Sequence, residues 1–329
     1  MTMVFDPLPD TEKVYWLQYL LRMEARHHRQ ADRLAAEVSP AMQPRRAALL
    51  QKAHRAHAQF YGQIKTTLLP LVSKEALLLP EVLSYQYDNL SPFSIGYLNR
   101  DWGRGEDHEV QQAISRRIAA ELERLALPSA APTALFLGCG MGRYAVDLAP
   151  RYQRVEAFDA SALMIWCIEH LRQVETWEVW LKAGTNCRRI EDTVQRHAVG
   201  MTPAQKALIQ ERIHFFVANA KQIPLPDQSI HHLYSIYFTD VLPLTELYEQ
   251  IERLLLPEGL FIHFGPLEYF FDDERAMLSA EEVRLFFEAQ GYVILTDEFL
   301  PSKHLVNTNS MRHRIYDNWF FIAQRPTAA

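Results

Sequence analysis

The chain has 329 residues, with 34 Lys and Arg against 40 Asp and Glu, so its formal net charge is −6. An acidic balance of this kind lacks the basic footprint that displaces counterions from nucleic acid, and 48% hydrophobic with 22% charged residues excludes disorder as the main state. No window approaches the roughly 20 consecutive apolar residues of a membrane helix, so no membrane partner is expected.

The start, MTMVFDPLPDTEK, lacks the basic-then-apolar order of a signal peptide, and a cytoplasmic location is expected. Cys139, Cys167 and Cys187 form no CxxC pair, so neither a disulfide framework nor a metal site is expected. Residues 11–75 carry apolar positions at helical spacing, for example Val14, Leu17, Leu20 and Leu21, and Pro40 and Pro44 divide the region into at least two helices. His27 and His28 beside Arg26 and Arg29 read as a solvated basic face. Tyr85 to Asp107 reads as an ordered connecting loop, and a helix is predicted from about His108 to Leu125. Residues 1–107 thus form an N-terminal helical region and loop, and 108–329 a second unit.

That second unit alternates apolar runs with helical segments, the pattern of a mostly parallel sheet with crossover helices. Strands are predicted near Thr133–Leu137, Arg154–Phe158, His214–Val217, Ile230–Phe238, Leu260–Phe264, Val293–Phe299 and Trp319–Ala323, with a helix over Ala280–Gln290. About 55 residues separate the second strand from the third, too many for one crossover, so 172–212 is predicted to hold a helical insertion.

The segment LFLGCGMGRYAVDLA, from Leu135 to Ala149, is an apolar strand, a glycine turn and a helix start. Gly138, Gly140 and Gly142 allow a sharp turn and close approach of a ligand. Asp159 ends the second strand, seventeen residues after Gly142, where an acid accepts hydrogen bonds from ribose hydroxyls. A dinucleotide fingerprint needs glycine at 143, where this chain has Arg143. The spacing instead fits the E/D-x-G-x-G-x-G turn of methyltransferases that use S-adenosyl-L-methionine, although Phe136 replaces its opening acid. In that class the turn after the third strand lies under adenine, and Asn219 can bond its exocyclic amine. The fold class expected is α/β, a Rossmann-like class I methyltransferase fold with a seven-stranded, mostly parallel sheet and an N-terminal helical region. A glycine turn that merely joins strand to helix is the plainer alternative.

From Asn99 onward the chain resembles the carnosine N-methyltransferase family, which methylates an imidazole nitrogen of a histidine-containing dipeptide. The matching stretches are Arg100-Asp-Trp102, FLGCGMGR, Tyr237-Phe-Thr-Asp240 and the run from Phe264 to Asp272, where a strand ends in G-P-L-x-Y. The resemblance implies that Arg100 reaches the methionine carboxylate of the cofactor, that Gly138 and its neighbours line the methionine moiety, and that Tyr237 joins the cofactor site. It implies Asp159 on the ribose, Asn219 on the adenine, Asp240 as the catalytic contact to the imidazole, and Tyr316 on the substrate. A family histidine after G-P-L-L-Y is Phe270 here, a second substrate tyrosine is Arg314, and the adenine acid is Asn219. The acceptor side is therefore altered, and Arg314 suits a substrate carboxylate.

An imidazole acceptor must be neutral, and a carboxylate such as Asp240 selects the tautomer with its lone pair at the attacking nitrogen. The alternative for Asp240 is capping of a helix that begins near Pro243. Tyr269 follows the fifth strand directly and joins Phe270, Arg314 and Tyr316 as an expected substrate contact, while His304, His313 and Asn307 are expected to border the acceptor pocket. His231 and His232 are expected to pack on opposite sheet faces. The function expected is N-methylation of histidine or a carnosine-like or thiohistidine-like small molecule. Another amine, a hydroxyl or a protein histidine as acceptor, and a non-catalytic scaffold, are the alternatives; homodimerisation is left open.

Overall fold

A computed structural model describes residues 4–78, 95–125, 133–183 and 186–327. Seven strands form one sheet in the order β5-β2-β1-β6-β7-β9-β8. They are β1 (Thr133–Phe136), β2 (Arg154–Asp159), β5 (Ile213–Val217), β6 (Ile230–Ile236), β7 (Leu255–Gly265), β8 (Val293–His304) and β9 (Arg314–Gln324). The five from β5 to β7 are parallel, and β9 runs antiparallel between β7 and β8. Ala134, Leu135 and Phe136 are buried because helices cover both faces, which is why β1 reads as an unbroken apolar run.

The chain leaves β1 in one direction to build β2 and β5, then returns to place β6 on the other side of β1. That reversal opens a crevice at the carboxyl ends of β1 and β6. The strands β8 and β9 run past the end of β7, whose last partner is Trp319, and stay paired to His304↔Arg314. This two-stranded extension stands over the crevice and is longer than the sequence predicted.

Two long helices, α1 (Asp10–Ala36) and α2 (Pro44–Leu68), form a hairpin whose break falls at Pro40 and Pro44. Proline fits the first turn of α2 because no helical partner for its missing N–H exists there. Their apolar faces join a hydrophobic cluster that also holds Trp166, Cys167 and Tyr234, so one core runs across residue 107. His27 is buried, correcting its reading as a solvated residue: its Nδ1 lies 2.9 Å from Nδ1 of His54, and His57 Nε2 donates to the Trp180 carbonyl at 2.6 Å. His28 is exposed.

Two further expectations need correction. The insertion is a β-hairpin, β3 (Trp177–Lys182) with β4 (Val194–Val199), followed by α7 (Pro203–Arg212), and not a helical unit. Aromatic and β-branched residues in WEVWLK and VQRHAV favour a pleated, half-buried ribbon. The hairpin packs on the N-terminal helices, with Phe60 stacked on Trp177 at 5.1 Å. Within the expected loop, residues 85–94 lie outside the described residues, while Ile95–Trp102 forms helix α3, followed at once by α4 (Glu106–Arg124). The remaining helices are α5 (Arg143–Leu148), α6 (Ala162–Gln173), α8 (Leu244–Leu254) and α9 (Ala280–Ala289). All three cysteines are free. Among the described residues no helix is long and apolar enough to cross a membrane, and no group of His, Cys, Asp and Glu could hold a metal ion.

Candidate active site

The glycine turn is fastened to the strands on either side of β1. Leu137 N–H donates to the Tyr234 carbonyl of β6 at 2.9 Å, and Cys139 N–H to the Phe158 carbonyl of β2 at 2.8 Å. Gly138 has φ +52°, and a Cβ there would sit 2.1 Å from the Phe238 ring. Gly140, at φ +55°, differs: a Cβ would meet only Arg100 Nη2, at 3.9 Å, so this glycine leaves space that faces the crevice. Its N–H donates to Asp159 Oδ2 at 2.9 Å, and Ser161 N–H donates to Oδ1 at 2.7 Å. Burial pushes the Asp159 carboxyl up to about 6 in spite of these bonds, and it keeps lone pairs for further donors. Gly142 faces Phe215 instead, where a Cβ would lie 2.8 Å from the ring.

Helix α3 is bolted onto this turn. Trp102 Nε1 donates to the Met141 carbonyl at 2.9 Å, and Arg143 Nη1 donates back to the Asp101 carbonyl at 3.0 Å. Asp101 takes Nε of Arg100 at 2.5 Å and Nη2 at 3.1 Å, fixing a buried guanidinium in the crevice wall.

The carboxyl end of β6 is equally constrained. Ser235 Oγ and Thr239 Oγ1 lie 2.7 Å apart, and Thr239 Oγ1 is 2.7 Å from His263 Nδ1. The other nitrogen of His263 donates to the Gly265 carbonyl at 3.1 Å, so the threonine hydroxyl donates to Nδ1. Tyr237 adopts φ +56°, an uncommon conformation for a tyrosine, and its N–H donates to the Phe264 carbonyl at 2.8 Å. Asp240 follows, 2% exposed. Its Oδ2 accepts the Glu268 N–H at 2.9 Å, and its carbonyl accepts the Phe270 N–H at 3.1 Å. Oδ1 is buried and has no hydrogen-bond partner among the described residues, and burial pushes the carboxyl up to about 6. Asp240 does not cap α8, whose N-cap is Pro243 with no side-chain bond.

A cavity of about 350 Å³ gathers these parts: Arg100, Gly138, Gly140, Asp159, Tyr237, Asp240, Phe270, Arg314 and Tyr316 all line it. Glu268 and His304 line it too. Burial, with the charges of Arg100 and Arg314, pulls His304 down to about 3, so its ring is neutral, and its buried Nδ1 has no partner among the described residues. The rings of Tyr237, His304 and Tyr316 form an aromatic wall with centroids 5.0–6.4 Å apart.

Three sequence-derived site residues stand apart from this cavity. Gly142 packs the turn. Asn219 lines a neighbouring cavity of about 1030 Å³ that shares Ala160, Phe238 and Val241 with the first, and its Oδ1 accepts the Lys221 N–H at 2.9 Å. Tyr269 donates its hydroxyl to the Leu278 carbonyl at 2.6 Å and accepts the Leu278 N–H at 3.0 Å, which commits it to the loop after β7. His313 is exposed and Asn307 bonds its own turn, so of the residues expected to border the pocket only His304 lines it. His232 packs beside Tyr152, 2.8 Å from its hydroxyl. Glu268 is the residue that sequence reasoning missed; it occupies the variable place of G-P-L-x-Y, the one cue that its position carried.

The strand order, the glycine turn after β1 and the acid closing β2 define a class I S-adenosylmethionine-dependent methyltransferase fold. The profile of carnosine N-methyltransferases matches residues 91–327, and the chain belongs to that family. No curated protein matches it. Solved structures similar to it include the YcgJ protein from Bacillus subtilis, at 14% identity and TM-score 0.42 over 67% of this chain and 100% of that one. Others are a SAM-dependent methyltransferase from Methanosarcina mazei (14%, TM-score 0.40, 63% and 98%) and one from Aquifex aeolicus (14%, TM-score 0.38, 65% and 97%).

Proposed function

We propose that this chain methylates a ring nitrogen of histidine or a histidine-derived small molecule, with S-adenosylmethionine as donor. The observation that carries this reading is Asp240, which lines the same cavity as the glycine turn and whose buried Oδ1 has no partner among the described residues. Leaving such an atom unpaired costs about 1–3 kcal/mol, and a ligand N–H would recover it.

The residues fit the donor. The space at Gly140 admits a ligand beside the turn, Asp159 retains acceptor capacity for ribose hydroxyls, and Arg100 offers a cation to a carboxylate. Asn219, across Ala160 and Phe238, offers its amide to adenine. S-adenosylmethionine held by these residues would supply an electrophilic sulfonium methyl group, and positioning an acceptor lone pair toward it would be the main catalytic task.

The chain's own part is to choose and hold that lone pair. Asp240 accepts the N–H of a neutral imidazole, which leaves the second ring nitrogen unprotonated. As positive charge develops on the ring the carboxylate stabilises it, and the N–H proton can pass to Oδ1 afterwards. A carboxyl near 6 is ionised at neutral pH yet basic enough to accept it. The aromatic wall of Tyr237, His304 and Tyr316 keeps water from the reacting atoms and favours cationic groups at its ring faces.

Calorimetric titration with S-adenosylhomocysteine, then a panel of histidine, thiohistidine, carnosine and anserine-like acceptors, tests the reading. Cofactor-product binding with turnover of at least one imidazole supports it; folded protein that binds no S-adenosylhomocysteine contradicts it. A second reading keeps the donor and changes the acceptor to another amine or hydroxyl. It draws on Phe270, 46% exposed at the cavity, where the family carries histidine.

A further inference from the structure

Two charged residues at the cavity mouth, Arg314 and Glu268, have no task in methylating a ring nitrogen, and Tyr316 of the aromatic wall joins them. Arg314 and Tyr316 come from the extended part of β9, and Glu268 from the segment after β7. Arg314 Nη1 donates to the Tyr316 hydroxyl at 2.9 Å, and that hydroxyl donates to Glu268 Oε2 at 2.6 Å. A cation and an anion are thus held within two hydrogen bonds of each other with a phenol between them. Both line the cavity, and both are solvent-exposed. A guanidinium has five N–H donors and a carboxylate two oxygens, so the single bond each makes to Tyr316 leaves most of their capacity for a ligand.

We propose that Arg314 and Glu268 clamp the α-carboxylate and α-ammonium of a free amino acid, so that the acceptor is histidine or a ring-modified histidine and not a peptide. This rests on the imidazole reading of Asp240. In a free α-amino acid the two charges sit on one carbon, which suits a cation and an anion this close together. In a β-alanyl dipeptide the ammonium lies beyond an amide and two methylenes from the carboxylate. In a protein chain both groups are peptide bonds. The pair carries no net charge, as the zwitterion does, and His304 beside it adds none because burial keeps its ring neutral. Guanidinium also binds carboxylate as a planar fork, which suits Arg314 better than a point charge would. Exposed ion pairs are individually weak, so the clamp acts on substrate affinity and on the choice between acceptors more than on the chemical step.

The test is steady-state kinetics with four probes, namely histidine, histamine (no carboxylate), imidazolepropionate (no ammonium) and carnosine, on the wild-type chain and on Arg314→Gln, Arg314→Lys and Glu268→Gln. Calorimetry with S-adenosylhomocysteine on each variant checks that the donor site is folded. The expected result is a kcat/KM for histidine several-fold above the other three, carried mainly by KM. In Arg314→Gln the histidine-to-histamine ratio should collapse toward one, in Arg314→Lys it should recover in part, and in Glu268→Gln the histidine-to-imidazolepropionate ratio should collapse. Histamine or carnosine turned over as well as histidine by the wild type overturns the clamp and leaves the imidazole reading standing, as do ratios that both variants leave intact. Methylation of no imidazole by protein that binds S-adenosylhomocysteine overturns the imidazole reading itself.

Discussion

Replacing Asp240 by asparagine separates what this residue does for the fold from what it does for a ligand. Burial raises its carboxyl from an ordinary 3.8 to about 6. Each pKa unit is worth about 1.4 kcal/mol, so ionised Asp240 costs the folded state up to about 3 kcal/mol above pH 6. An asparagine amide avoids that charge but still needs desolvation, so a net gain of roughly 1–2 kcal/mol at pH 8 is expected. Because the folded pKa is the higher one, the cost is absent below about pH 4 and grows as pH rises through 6; the gain of the variant should follow the same course. Its oxygen can accept the Glu268 N–H, which turns the amide NH₂ toward the place of Oδ1, where a donor meets an incoming N–H. Methyl transfer should therefore fall by about a hundredfold or more, within the range of lost acid–base assistance. Thermal melts at pH 8 and pH 4, with turnover of an imidazole acceptor at pH 8, make the assay. A variant that melts lower than wild type at pH 8 refutes the burial reasoning, and unchanged turnover removes Asp240 from the mechanism.

The other predictions concern neighbouring parts of the molecule. Gly140→Ala adds a methyl at φ +55°, which strains the backbone by about 1–2 kcal/mol and fills space beside Arg100; titration with S-adenosylhomocysteine should show at least tenfold weaker binding, and wild-type affinity would contradict the role given to that space. Tyr269→Phe removes a hydroxyl held by Leu278, so stability should drop by about 1 kcal/mol while KM for the acceptor stays within twofold; a large rise in KM would return Tyr269 to the substrate site. Burial holds His27 down at about 3, so the unfolded chain takes up its proton first as pH falls below about 6.5. The wild type should accordingly lose roughly 2 kcal/mol between pH 7 and pH 5 that His27→Gln does not lose, read as the difference between their denaturant curves; equal pH dependence would refute it.

The central strands β1, β2, β6 and β7 were legible because they are buried on both faces and therefore appear as short apolar runs between turn residues. The glycine turn and Asp159 were legible for a different reason: a close backbone approach and a strand-end acid leave residue types at fixed spacing. The hairpin β3–β4 was missed because its strands are short and only partly buried, with Glu, Lys, Gln, Arg and His at five of their twelve positions. Helix α3 has eight residues, including a glycine, too few for helical periodicity to stand out. His27 looked solvated because its partners His54 and His57 come from the other arm of the helical hairpin. The grouping of Glu268, Tyr316 and Arg314 depends on β8 and β9 running past the end of β7, and strand length beyond a sheet edge leaves no mark in local composition.

The central claim is that the cavity between the glycine turn and Asp240 carries a methyl group to an imidazole nitrogen. Its most direct test is incubation of the protein with S-adenosylmethionine labelled with ¹³C in the methyl group and histidine as acceptor, followed by NMR of the small-molecule fraction. The account predicts a new N-methyl carbon signal coupled to the protons of an imidazole ring, absent with the Asp240→Asn variant. Label that appears on an α-amine or on no histidine-derived product, from protein that binds S-adenosylhomocysteine, would contradict it.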